Sequence, residues 1–318
     1  MKKIGILTSG GDSQGMNSAI RAVVRTGIAR GFEIIGIKRG YKGLMEKEFS
    51  KLTSRDVGDI LYRGGTFLQS ARSEEFRTKE GQKKGAYNLK EAGIDTLIVI
   101  GGDGSYRGAA ELQKLGIKTY GMPGTIDNDI PLTDYTIGFD TTLNVVMDAI
   151  GNLRDTMSSH ERVSVIEVMG RSSGDIAIHA GIASGVDAIL VPELPWDLKD
   201  ISRKLKEGFD QGKTHSIVVV AEGAGKAEEI APLIHEYCGL DTRPTVLGHI
   251  QRGGTPSAFD RVFTSQMGHK VIELIENDIH GVALGIEKNE ITYHSFEDIF
   301  TADTELKADL YQIFKDLI

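Results

Sequence analysis

A single cysteine, Cys238, stands among 318 residues, so no internal disulfide can form and a reducing, cytoplasmic location is expected. No apolar run approaches the ~18 residues that a membrane-spanning helix needs. The run in MKKIGILTSGG is also too short for a signal peptide, so no membrane partner is expected. The Walker A pattern is absent, because no glycine-lysine-serine/threonine follows the required spacing, and the spacing of a dinucleotide-binding fingerprint is absent from the first glycine turn. Proline is scarce at seven residues, and there is no low-complexity linker or short-period repeat. A net charge of −8 disfavours non-specific binding to nucleic acid.

Glycine is abundant instead. The chain has 39 glycines, about 12% against a usual ~7%. They cluster at the ends of apolar runs, where tight turns and close ligand approach occur. The apolar runs are short and β-rich: KIGILTS, EIIGI, DTLIVIGG, KTYGMPG, RVSVIEVMG, DAILVP and HSIVVVAEG. Between them lie helical patterns, among them MNSAIRAVVRTGIARG, SYRGAAELQKLG, a stretch over about 141–159, one from Gly174 and one over about 197–211. Continuous apolar strands alternating with helices argue for parallel sheets covered on both faces. Ligands of such sheets bind beyond the carboxyl ends of the strands, where these glycines sit. Length suggests about two domains. Crossings after Gly138 and after Gln251 fit a first domain that the chain leaves and later re-enters.

Three stretches carry candidate chemistry. In LTSGGDSQGMN, Gly10 and Gly11 end a strand before a helix, a place where backbone N–H groups can cradle phosphate oxygens. The plain alternative is a tight turn without a ligand. In VIGGDGSYRG, Asp103 stands among Gly101, Gly102 and Gly104, next to Ser105. A carboxylate there can hold Mg²⁺ while the glycines let a triphosphate lie against the chain; a turn or helix cap is the alternative. In PGTIDNDI, Asp127 and Asp129 flank Asn128 just after Thr125. Read as extended backbone, the two acids face the same side, which suits a metal or a hydroxyl proton between them. Arg72, Arg162, Arg171, Arg243 and Arg252 lie beside glycines or at strand ends, and each is a flat fork for phosphate oxygens or an ordinary surface ion pair.

Together, TSGGD, GGDGS, PGTIDNDI, TIGFDT, EVMGR, VAEG, VLGH and QRGG resemble the bacterial-type ATP-dependent phosphofructokinase family, in its order and spacing over almost the whole chain. The resemblance implies an α/β fold of two similar-sized Rossmann-like three-layer α/β/α domains with largely parallel sheets. It implies an ATP-binding domain over 1–138 plus 252–302 and a sugar-phosphate-binding domain over 139–251 plus 303–318. The implied reaction is transfer from MgATP to the 1-hydroxyl of fructose 6-phosphate, by a homotetramer that shares its active and effector sites.

By the same resemblance, Gly11, Arg72, Ser73, Gly102, Asp103, Gly104 and Ser105 contact ATP, and Asp103 holds the Mg²⁺. Asp127 is the general base, with Thr125, Ile126 and Asp129 beside it. Met169, Gly170, Arg171, Glu222, His249, Ile250, Gln251 and Arg252 meet the sugar phosphate, and Arg162 and Arg243 reach in from a neighbouring subunit. Arg72 and Arg171 are the candidates for neutralising the travelling phosphoryl group. Relatives that use pyrophosphate carry aspartate and lysine where this chain has Gly104 and Gly124, so ATP is the expected donor.

The chain also departs from the pattern. Gln14 replaces a usual proline, and Pro244 falls inside an expected strand, where it suits an edge. The effector site implied by the family matches at Arg21, Arg25, Arg55, Arg154, Gly185 and Lys213. Asp187, however, stands in for a glutamate, and Gln211 and Thr214 stand where cations are common. Fewer positive charges attract an anion less, so weak regulation by ADP or phosphoenolpyruvate is expected. Arg21 and Arg25, four apart, read equally as a solvated helix face. Two other functions stay open from the residues alone: a kinase acting on NAD or a lipid, and a sugar-phosphate sensor without catalysis. Acceptance of other ketose phosphates also stays open.

Overall fold

A computed structural model describes residues 2–303 and 308–318. Residues 304–307, part of the 303–318 segment assigned above, lie outside the described residues. The chain divides into two compact units: Met1–Ile126, Ile130–Thr141 and Arg252–Thr304 form the first, and Asp127–Asp129, Thr142–Gln251 and Glu305–Ile318 the second.

The first unit is built on a seven-stranded sheet. Its strands are β1 (Lys3–Thr8), β2 (Glu33–Ile37), β3 (Phe49–Leu52), β4 (Ile94–Gly101), β5 (Lys118–Pro123), β10 (Val282–Glu287) and β11 (Glu290–Ser295). The order across the sheet is β11-β10-β5-β4-β1-β2-β3. All pairings are parallel except the outermost ones, β2 with β3 and β10 with β11. Side-chain alternation along β4 explains the layers. Ile98 and Ile100 join one buried cluster with α1 (Met16–Ala29) and α9 (Ala258–Glu276). Leu97 and Val99 join another with α2 (Gly40–Glu46), α3 (Lys79–Glu91), α4 (Asp103–Lys114) and α10 (Phe296–Thr301). A strand buried on both faces reads as an unbroken apolar run, as DTLIVIGG does.

The second unit holds a four-stranded, fully parallel sheet in the order β7-β8-β6-β9. Its strands are β6 (Val163–Val168), β7 (Ala188–Leu190), β8 (Ser216–Ala221) and β9 (Thr242–Val246). Helices α5 (Phe139–Ser158), α6 (Asp175–Ser184), α7 (Leu198–Asp210), α8 (Ala227–Cys238) and α11 (Ala308–Leu317) complete the set. Val163, Val165, Val218 and Val220 pack with Leu198, Leu205, Ile230 and Ile234 of α7 and α8. Pro244 lies on β9, an edge strand, opposite Val165. There its missing N–H leaves the ladder's other side undisturbed. Among the described residues, no helix is long and apolar enough to cross a membrane.

Candidate active site

In the first unit, three motif stretches follow three adjacent parallel strands at the same edge of the sheet. TSGGD follows β1, GGDGS closes β4, and PGT closes β5. Ser9 N donates to Ile100 O at 2.9 Å, which ties the first turn to the second. Ser70 Oγ donates to Gly10 O at 2.7 Å and brings in the segment that carries Arg72, which is exposed, and Ser73. Buried Tyr41 donates to Ser105 O at 2.6 Å, and burial pushes its phenol pKa far above the ordinary value, so it stays a donor. Thr136 Oγ1 donates to Thr125 O at 2.6 Å and fixes that backbone.

Asp103 opens α4 and its side chain is 47% exposed. It accepts from Arg107 Nε at 2.9 Å, one helical turn away. No group of three or more histidine, cysteine or acidic side chains suited to a metal occurs among the described residues. A lone half-exposed carboxylate such as Asp103 could hold an ion that takes most of its ligands from phosphates and water. Space at Gly104 is open: a Cβ there meets nothing within 4 Å. Gly124 is closely packed instead: a Cβ there would lie 2.8 Å from Met16 Cε and 2.9 Å from Ile100 Cγ2, so a larger residue would need those side chains to shift. Gly11 lies under Arg252: a Cβ at Gly11 would fall 2.0 Å from Arg252 Nη1. Arg252 Nη1 also donates to Asp12 O at 3.0 Å. Buried Gln14 donates through Nε2 to Gly253 O at 2.6 Å, which joins the same two loops. That tie is the consequence of having glutamine where proline is usual.

In the second unit, the motif loops again follow neighbouring strands. Residues 169–174 follow β6, residues 222–226 follow β8, and 247–251 follow β9. Glu222 N donates to Val168 O at 2.9 Å and Leu247 N to Glu167 O at 3.1 Å. Met169 N donates to Gln251 Oε1 at 3.1 Å. Arg171 has a left-handed backbone, φ 53°, and its N–H donates to Glu222 Oε1 at 2.7 Å. Next to it Gly170 takes φ 135°. His249 and Ile250 are exposed on the short turn Gly248–Arg252.

Asp127 is 1% exposed, and its Oδ2 lies 3.2 Å from Arg171 Nε. The segment around it is not extended. Asn128 has φ 51°, so Asp127 and Asp129 are not related as same-side neighbours of a strand. Asparagine tolerates the left-handed region better than most residues, and its side-chain amide donates to Asp175 Oδ2 at 2.8 Å. Asp175 and Asn128 gave no separate signal beyond an asparagine set between two acids.

Arg162 and Arg243 come together on one carboxylate, Asp241, which no sequence motif marks. Arg162 Nε donates to Asp241 Oδ2 at 2.6 Å, and Arg243 Nε lies 3.1 Å from Asp241 Oδ1. The Arg162 hydrogen bond, with help from Arg243, holds the Asp241 pKa below its usual range. The effector candidates divide between the units. Arg21, Arg25 and Arg55 belong to the first, and Arg154, Gly185, Asp187 and Lys213 to the second. Arg25 Nη2 donates to Ser54 O at 3.4 Å, and burial followed by Arg25's like charge lowers the Arg21 pKa. Arg154 Nη2 donates to Gly185 O at 3.2 Å, while Lys213 pairs with Asp187.

A family model described as phosphofructokinase matches residues 3–275. An ATP-dependent 6-phosphofructokinase of Paenibacillus macquariensis is 54% identical over 314 residues, 98% of this chain and 98% of that protein. Another from Clostridium tetani is 52% identical over 317 residues, 100% of this chain and 99% of that protein. Among solved structures, the phosphofructokinase from Saccharomyces cerevisiae matches with a TM-score of 0.91 at 35% identity, over 99% of this chain. The match spans 50% of the yeast chain's own length.

Proposed function

The chain belongs to the phosphofructokinase family, and we propose that it moves the terminal phosphoryl group of ATP onto the 1-hydroxyl of fructose 6-phosphate, with Asp127 taking the hydroxyl proton. The observation that carries this reading is the buried Asp127 carboxylate, 3.2 Å from Arg171. The sugar oxygen bonds to the γ-phosphorus, the bond to the β,γ-bridging oxygen breaks, and ADP leaves. Little covalent work falls to the protein in such a transfer, so positioning and charge stabilisation dominate.

Within this reading an ATP-binding domain spans 1–138 plus 252–302 and a sugar-phosphate-binding domain 139–251 plus 303–318. Gly11, Gly102, Gly104 and Ser105 let phosphates approach the chain, and Arg72 and Ser73 flank them. Arg72 and Arg171 neutralise the moving group. Asp103 holds Mg²⁺, which when bound offsets charge on the phosphate oxygens. Thr125, Ile126 and Asp129 orient the acceptor, and Met169, Gly170, Glu222, His249, Ile250, Gln251 and Arg252 hold the sugar phosphate. Arg162 and Arg243 serve a second copy of the chain in a homotetramer. In support, Arg243 is exposed on the edge strand β9. Regulation is weak, because Gln211 and Thr214 stand where cations are common and attract an anion less; in support, Lys213 is paired with Asp187.

A coupled assay with MgATP tests the reading across fructose 6-phosphate, NAD and diacylglycerol. Turnover on fructose 6-phosphate alone is expected; binding without turnover, or turnover on either other acceptor, contradicts it. Pyrophosphate supporting faster turnover than ATP contradicts the donor assignment. A tenfold rise in half-saturation for fructose 6-phosphate on adding phosphoenolpyruvate contradicts weak regulation.

A further inference from the structure

We propose that Asp175 is a positioning residue for Asp127, acting through the side-chain amide of Asn128. The inference rests on the reading of Asp127 as the base and adds a residue to it. Asp175 opens α6, a ten-residue helix whose Ile176, Ala177 and Ile178 are fully buried. Its carboxylate is therefore carried on a rigid frame. Asn128 lies in the left-handed region at φ 51°, which asparagine tolerates better than most residues. Its amide fixes it there by donating to Asp175 Oδ2 at 2.8 Å with both side chains buried. A side-chain hydrogen bond to a carboxyl oxygen out of water is costly to leave unmade.

The opposite side of the Asp127–Arg171 pair is built the same way. Arg171 is also left-handed, and its backbone N–H is held by the Glu222 carboxylate. Each partner thus sits at or next to a left-handed residue clamped by a separate acid. Gly174, just before Asp175, donates to Glu193 Oε1 at 2.7 Å, and Asp175 N is held by Ser173 Oγ at 3.2 Å. The frame that carries Asp175 is itself fixed. Releasing Asn128 would let the backbone at 128 relax and turn Asp127 away from Arg171, while the sugar-phosphate contacts of the β6 and β8 loops stay in place.

The test measures kcat and KM for fructose 6-phosphate in Asp175→Ala, Asp175→Asn, Asn128→Ala, the Asn128→Ala/Asp175→Ala pair, and Asp127→Ser. Misplacing a reacting group by about an ångström costs on the order of 10²-fold. Asp175→Ala is expected to lose roughly 10- to 100-fold in kcat, with KM changing less than about threefold. Asp175→Asn keeps an oxygen that accepts from Asn128 and is expected to restore most of kcat. Because both residues act through one bond, the double variant is expected to fall little below the worse single one. Should Asp175→Ala not fold, Asn128→Ala leaves α6 intact and carries the same expected loss. The proposal is overturned if Asp175→Ala keeps more than half of wild-type kcat while Asp127→Ser loses it. It is also overturned if the two single losses multiply in the double variant. Should Asp127→Ser itself keep more than a tenth of wild-type kcat, the base assignment fails, and this proposal with it.

Discussion

Asp103 and Asp127 are both aspartates just beyond a parallel strand, yet they are housed differently. Asp103 is half-exposed on the first turn of a helix, and its ion pair is with Arg107 of the same helix. Asp127 is almost wholly buried, on an irregular segment, and its arginine comes from the loop after another strand. An exposed carboxylate can trade ligands with water and phosphates, as a magnesium site requires. A carboxylate removed from water meets its proton or its arginine with little screening. Under the proposed function the same side chain serves two tasks, and the surroundings of each suit its own.

The sharpest way to break this contrast is to remove the buried acid. Asp127→Ser is expected to lose roughly 10²- to 10⁴-fold in kcat with fructose 6-phosphate affinity nearly kept. Steady-state kinetics showing the opposite split, KM up and kcat intact, would reassign Asp127 to binding. Next in size, Arg171→Ala removes its partner and is expected to cost on the order of 10²–10³ in kcat. A loss below tenfold would mean that the exposed guanidinium is only a surface ion pair. On the other side of the comparison, Gly104→Asp places a second acid in the open space beside Asp103. It is expected to raise KM for ATP on the order of tenfold by like-charge repulsion, and an unchanged KM would show that ATP does not pass there.

A further expected effect is on stability and sharpens the role of burial. Asp260 in the first unit is fully buried, accepting from Gly138 N at 2.9 Å and Thr141 N at 3.0 Å. Burial raises its pKa to about 6 in spite of those bonds. A folded pKa above the unfolded one means that the folded chain binds the extra proton. Asp260's contribution is therefore full below about pH 4 and is lost as pH rises through about 6. Relative to Asp260→Asn, wild type is expected to gain on the order of 2 kcal/mol as pH falls from 7 to 4, read from urea midpoints. A relative loss over that range would contradict the assignment.

Much of this was legible in the residues. Unbroken apolar runs ending in glycine read as buried parallel strands, and the family's motifs fell on the loops after them. What the residues concealed was long-range and polar. Nothing local in DTRPTV says that Asp241 gathers Arg162 from just before β6, 79 positions earlier in the chain. The extended reading of IDND failed because the left-handed turn at Asn128 is paid for by an acid 47 positions later. Nothing local in PGT says that Gly124 packs against Met16 and Ile100, whereas Gly104 faces open space. Spacing reveals which backbone bends; it does not reveal what packs against the bend.

One titration addresses the division of labour directly: kcat against Mg²⁺ concentration for wild type, Asp103→Asn and Asp127→Ser, at saturating ATP and fructose 6-phosphate. Asp103→Asn is predicted to need more Mg²⁺ and to recover turnover as the ion is raised, while Asp127→Ser stays flat at its low value. Recovery of Asp127→Ser with Mg²⁺, or an Asp103→Asn curve that overlays wild type, would contradict it.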